Sequence, residues 1–209
     1  MDKMELLNEK ESIDKFNKLM PRVNELLNSL ELNLSGDIIK PEWDNNRVRF
    51  RNKISSGFDI NFLKDSGIGG LMFQGDSTLA NIEFDKLDKS LLHNINEYNI
   101  SNKNFNNSNY HISTNTIHHT YHLDRFFNKK GGDSINSILE WGGGYGNMAK
   151  ISFEIFKNLN TYTIIDLPEF IVLQYIYLVS YFGEDNVRII KSLDDIGEGI
   201  NLIPVNVAM

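Results

Sequence analysis

The chain contains no cysteine, which removes disulfides, thiolate metal sites and cysteine nucleophiles together. Proline is scarce, with 4 among 209 residues, and no repeat recurs at a fixed period. Collagen-like and solenoid architectures are therefore excluded. Basic residues are outnumbered, 21 against 28 acidic, for a net charge of -7; a surface of that sign repels polyphosphate, and no nucleic-acid partner is expected. Long apolar runs are missing too. The longest nearly unbroken one, Phe170 to Phe182, falls short of the roughly 18 to 20 residues that cross a bilayer and reads as a buried helix. The charged start Met1-Asp2-Lys3-Met4-Glu5 lacks the apolar segment of a signal peptide. A cytoplasmic protein without a membrane span is expected. What is present is core material: 41% of residues are hydrophobic and 11% aromatic, enough for one large domain or a small one beside a medium one.

Two regimes follow one another. Residues 1–110 read as a mainly helical N-terminal region. Leu6, Ile13, Phe16, Leu19, Val23, Leu27 and Leu30 recur at threes and fours, an amphipathic helix bent near Pro21. Ser35 to Leu92 resolves only into short mixed elements, and the asparagine-rich stretch Asn94 to Asn109 favours a long loop, because such side chains compete with backbone ladders. Ser113 or Thr114 can cap a helix that ends at Lys129-Lys130-Gly131-Gly132.

Residues 111–209 carry the second regime. Ser137 to Trp141 reads as a short buried strand, Gly142 to Gly146 as a glycine turn, Asn147 to Leu159 as a helix and Thr161 to Ile165 as a β-branched strand ending in Asp166. A helix begins at Pro168, where a first turn tolerates proline, and stops at Gly183; Val187 to Ile190 is a third strand. Alternation of this kind signals an α/β fold with a parallel, covered sheet.

Glu140-Trp141-Gly142-Gly143-Gly144-Tyr145-Gly146 has more backbone freedom than a strand-to-helix turn needs, so a ligand is expected to approach the main chain. Asp166 ends the next strand, where a right-handed crossover makes it face the same crevice, and a carboxylate accepts from both ribose hydroxyls. The pair reads as a nucleoside site. Gly144, Gly146 and Ala149 satisfy the loose dinucleotide pattern, so a nicotinamide cofactor competes. Glu140, two residues before Gly142, places negative charge where a pyrophosphate would sit and favours a cationic cofactor instead.

Ile138 to Gly146, followed by Ile164-Ile165-Asp166-Leu167-Pro168-Glu169, resembles the first two cofactor motifs of class I S-adenosylmethionine-dependent methyltransferases. Within that superfamily it resembles the sugar O-methyltransferases of bacterial polysaccharide clusters, and Ile112 to His122 resembles their leader helix. The resemblance implies a Rossmann-like methyltransferase core, bound S-adenosylmethionine and methyl transfer to a hydroxyl of a small-molecule or glycan substrate. By position, Glu140 would steady the turn and the cofactor's amino-acid end. Gly142, Gly143 and Gly144 would let the main chain contact the cofactor, Asp166 would hold the ribose and Leu167 would lie against the adenine. Such a sheet normally has seven strands, whereas the reading ends soon after a third. A partial copy lacking strands four to seven is therefore expected, with no catalytic residue assigned. The competing readings are a non-catalytic remnant or interaction module and an NAD-dependent oxidoreductase.

His118 and His122 share a helix face and can bind a metal, but no carboxylate is placed beside them by spacing except Asp124; packing or solvent-facing histidines are expected, with a base role for a substrate hydroxyl second and no metal. The helix 168–182 is apolar nearly all round. In a partial sheet some of it should be bare, which suggests a homo-oligomer through that surface.

Overall fold

The computed structural model describes residues 6–30, 41–64, 68, 77–95, 103–107, 110–130 and 134–209. It is an α/β protein with a four-stranded, all-parallel sheet. The first helix, α1 (Glu9–Leu19), begins in a capping box: Asn8 accepts from the Glu11 N–H, and the Glu11 carboxylate accepts from the Asn8 N–H, satisfying two donors that a helix start leaves unpaired. Pro21 falls within a 3-10 turn, Met20–Arg22, that separates α1 from α2 (Val23–Ser29). The bend expected near this proline is there. In the stretch expected to hold short mixed elements, the described residues form two α-helices, α3 (Pro41–Ser55) and α4 (Ser77–Lys86). A short antiparallel hairpin, β1 (Phe105–Asn107) with β2 (Tyr110–Ile112), takes up the end of the expected asparagine-rich loop; residues 96–102, 108 and 109 of that loop lie outside the described residues. Helix α5 (Thr114–Lys130) has Ser113 at its start, whose hydroxyl accepts from the Thr116 N–H at 3.0 Å.

The sheet is built from β3 (Ser137–Trp141), β4 (Thr161–Asp166), β5 (Val187–Ile189) and β6 (Gly199–Pro204), in the order β3-β4-β6-β5. Helix α6 (Asn147–Ile155) joins β3 to β4, α7 (Pro168–Phe182) follows β4, and the short α8 (Val205–Ala208) follows β6. The fourth strand corrects the three-strand reading. Helix α6 also stops earlier than expected, at Ile155, where Phe156 turns to extended backbone.

The apolar helix α7 is the centre of the core, and all of its residues are buried. The expected bare surface, and with it the ground for a homo-oligomer through 168–182, is not present: α1, α2 and α3 pack against α7 on one side and β4, β5 and β6 on the other. Phe50 of α3 stacks on Phe170 with ring centroids 5.0 Å apart. Arg47 grips the buried Glu169 carboxylate with two N–H groups at 3.0 and 3.2 Å, and Arg51 approaches it at 3.5 Å. The N-terminal helices therefore cover the helix that carries the second crossover. No helix among the described residues is long and apolar enough to cross a membrane. Strand β3 is not the buried strand expected of Ser137 to Trp141, because it ends the strand order and one of its faces is left exposed among the described residues. Among the described residues it pairs with β4 alone, and Leu139 and Trp141, on one face, are 69% and 71% exposed.

Candidate functional site

The turn after β3 and the end of β4 lie at the same edge of the sheet. Trp141 pairs with Ile165, and the next residue, Gly142, donates its N–H to the Ile165 carbonyl at 2.9 Å. The chain can then reverse only through left-handed backbone: Gly142, Gly144 and Gly146 have φ of 80°, 57° and 95°, a region costly for residues with a Cβ. The glycines serve different ends. A Cβ on Gly142 would meet nothing within 4 Å, so this part of the main chain is open to a ligand. A Cβ on Gly143 would lie 2.7 Å from Ile164 Cγ2 and 3.2 Å from Glu140 Oε2, and one on Gly146 2.9 Å from Leu178 Cδ1. Those two glycines let the turn settle on β4 and α7.

Glu140 points beneath the turn, where the Tyr162 hydroxyl donates to its Oε2 at 2.9 Å. Burial raises the Glu140 carboxyl above its ordinary range, while this hydrogen bond pulls the other way. Asp166 is half-buried. The Leu167 N–H donates to its Oδ1 at 2.8 Å and Gln174 Nε2 to its Oδ2 at 2.7 Å. Desolvation nevertheless pushes its carboxyl up to about 7, with the charge of Glu140 adding to the rise and the Leu167, Gln174 and Gly143 hydrogen bonds opposing it. Gln174 also donates to the Gly144 carbonyl at 3.1 Å, so one buried amide ties the turn to the strand end. Leu167, the cap residue of α7, is half-buried and packs against the core.

Helix α5 closes on this region from the side through a buried polar network centred on Asn147. Its amide donates to Thr116 Oγ1 at 3.2 Å and to His119 Nδ1 at 3.3 Å, while its carbonyl oxygen accepts from the Tyr177 hydroxyl at 3.1 Å. Asn115 reaches the Tyr145 hydroxyl at 3.4 Å. Burial, then repulsion from His118 and His122, lowers His119 to about 3, so its ring is neutral. With Nδ1 accepting, the proton sits on Nε2. His118 faces elsewhere, its Nδ1 2.8 Å from Glu83 Oε1. Asp124 is engaged with the Asp88 N–H and Asn128.

The structure thus brings together Glu140, Gly142, Gly143, Gly144, Asp166 and Leu167. Sequence reading missed Gln174, Tyr162 and Asn147. Gln174 carried the one available signal, a lone amide at the buried centre of an apolar helix. No family model, curated protein or solved structure matches the chain.

Proposed function

We propose that this chain is a class I S-adenosylmethionine-dependent methyltransferase core, of Rossmann-like type, that binds its cofactor over the carboxyl ends of β3 and β4 and methylates a sugar or polysaccharide-precursor hydroxyl. One observation carries the reading: a glycine turn with open main chain at Gly142 stands beside two carboxylates, Glu140 and Asp166, held in poorly hydrated surroundings. Carboxylates so placed favour a cationic, phosphate-free nucleoside over a dinucleotide, whose pyrophosphate would meet negative charge directly under the turn. The sugar hydroxyl as acceptor rests on the motif resemblance.

The residues fit such a group. A carboxylate offers about four acceptor sites. Leu167, Gln174 and Gly143 supply donors to Asp166, with Gly143 the weakest influence. One ribose hydroxyl takes the free site and a second competes with Gly143. Glu140, braced by Tyr162, sets negative charge below the turn, and Gln174 keeps the turn and Asp166 in register. When bound, the cofactor supplies an electrophilic sulfonium methyl; the protein's part is alignment and exclusion of water.

A denaturation series with S-adenosylmethionine, S-adenosylhomocysteine or NAD separates the readings. The adenosyl sulfur compounds should stabilise the fold by about 2.7 kcal/mol at 100-fold excess over Kd, and NAD should not. Stabilisation by NAD alone assigns the dinucleotide reading. No stabilisation by any of the three removes the nucleoside site.

A further inference from the structure

Outside the glycine-turn site, Glu83, His118 and His122 come together between α4 and α5. One donor atom from each lies within 4.8 Å of the other two. His118 and His122 are one turn apart on α5 and their rings meet edge to face, with centroids 4.5 Å apart. Glu83 enters from α4. Its side chain is only 6% exposed, against 38% for His118, and His122 is exposed. Glu83 Oε1 contacts His118 Nδ1 at 2.8 Å, while its other oxygen, Oε2, is buried with no hydrogen-bond partner among the described residues.

An unpartnered buried carboxylate oxygen is costly. The carboxylate that carries it stands beside a pair of imidazoles, and the exposed side of the cluster, at His122, leaves an entry path for an ion. We propose that Glu83, His118 and His122 form a binding site for a divalent transition-metal ion, best matched by Zn2+, that staples α4 to α5. Two imidazoles and one carboxylate are a zinc donor set, and three protein ligands leave a fourth position for water or another oxygen. The small inward shift needed to bring the donors to about 2.0–2.2 Å from the ion falls to the two imidazole side chains. The His118–Glu83 contact holds the metal-free form in register: it orients one ring toward the carboxylate before an ion arrives. The site explains why a buried glutamate faces two histidines across a helix pair that also packs through buried Ala80, Phe84 and Ile117 and is tied by Arg125, which donates to the Lys86 carbonyl at 2.6 Å. It is independent of the methyltransferase reading.

The test uses the full chain, stripped with a chelator, dialysed and titrated with Zn2+ by calorimetry, with Co2+ as a spectroscopic probe. Expected are one ion per chain, a visible Co2+ spectrum of low-coordinate form, and a rise in melting temperature on adding Zn2+. His122→Ala, at an exposed position, and Glu83→Gln should each weaken Zn2+ by about 10–100-fold and abolish the thermal shift. His111→Ala, at an exposed histidine outside the cluster, should leave both unchanged. Absence of stoichiometric binding, or Zn2+ affinity left unchanged by His122→Ala, overturns the proposal. Should Glu83→Gln fail to fold, His122→Ala with its His111→Ala control decides alone.

Discussion

The amide of Gln174 donates to Asp166 Oδ2 at 2.7 Å and to the Gly144 carbonyl at 3.1 Å, so a side chain of α7 sets the distance between a glycine turn and the acid on the adjacent strand. Replacing it by leucine preserves volume but leaves a buried carbonyl and carboxylate short of a donor. Gln174→Leu should lower unfolding free energy by about 1–3 kcal/mol, read from urea denaturation, and should weaken S-adenosylhomocysteine more than a stability loss alone explains. Unchanged affinity in a folded variant would separate the brace from ligand binding.

The glycines of the turn should differ in their response. Gly143→Ala drives a methyl to 2.7 Å from Ile164 Cγ2 and should cost about 1–3 kcal/mol as overpacking. Gly142→Ala meets nothing within 4 Å but pays roughly 1–2 kcal/mol for its left-handed backbone. Gly142→Asn, which tolerates that conformation, should recover part of the loss in the same urea series, whereas Gly143→Asn should be worse than Gly143→Ala.

Asp166 makes stability and ligand affinity run in opposite directions with pH. Its folded value is about 7 against an ordinary 3.8, so between those values the folded protein holds the proton that the unfolded chain has released. Its contribution to stability is full below the lower value and is lost as pH rises through the upper one. Asp166→Asn should flatten that part of the stability profile. Ribose hydroxyls require the ionised acid, so S-adenosylhomocysteine should bind about tenfold tighter at pH 8 than at pH 6, with a proton released on binding. Calorimetry in two buffers of different ionisation enthalpy measures both. A pH-independent affinity with no proton release contradicts the assignment.

Arg47 and Glu169 fasten the N-terminal helices to α7. Arg47→Ala strands a carboxylate whose side chain is 2% exposed; the cost should fall toward the lower end of the roughly 3–5 kcal/mol typical of a broken buried pair, because Arg51 remains at 3.5 Å. The double variant Arg47→Ala with Glu169→Gln should recover part of it. Additive losses in the cycle would mean that the pair is not the coupling element.

The parts of the fold that could be read in the sequence are those whose signal is local. Strand β4 stands out as a short β-branched run and β3 as a short apolar run closed by the glycine turn, and α7 is punctuated by Pro168 and Gly183. Strand β6 was hidden by Gly199, Asn201 and Pro204. Its Asn201 is fully buried because its side chain exchanges hydrogen bonds with the Gly197 backbone at 2.7 and 3.2 Å, a pairing that spacing does not announce. Helix α3 shows few apolar positions among its arginines and asparagines; it is held by Phe50 against Phe170 and Arg47 against Glu169, contacts made only in the folded chain. At the candidate site, Glu140, the glycines and Asp166 flank strand ends and were legible. Gln174 and Tyr162 act across the structure. Glu83 lies far along the chain from His118, so the carboxylate missing beside the histidine pair could not be supplied by spacing.

The most direct measurement of the central claim is calorimetric titration of the purified chain and of Asp166→Ala with S-adenosylhomocysteine. Saturable one-site binding by the parent chain, lost in a variant that keeps its circular dichroism, is the expected result. No heat of binding from the parent chain at millimolar ligand, or equal affinity in both proteins, contradicts it.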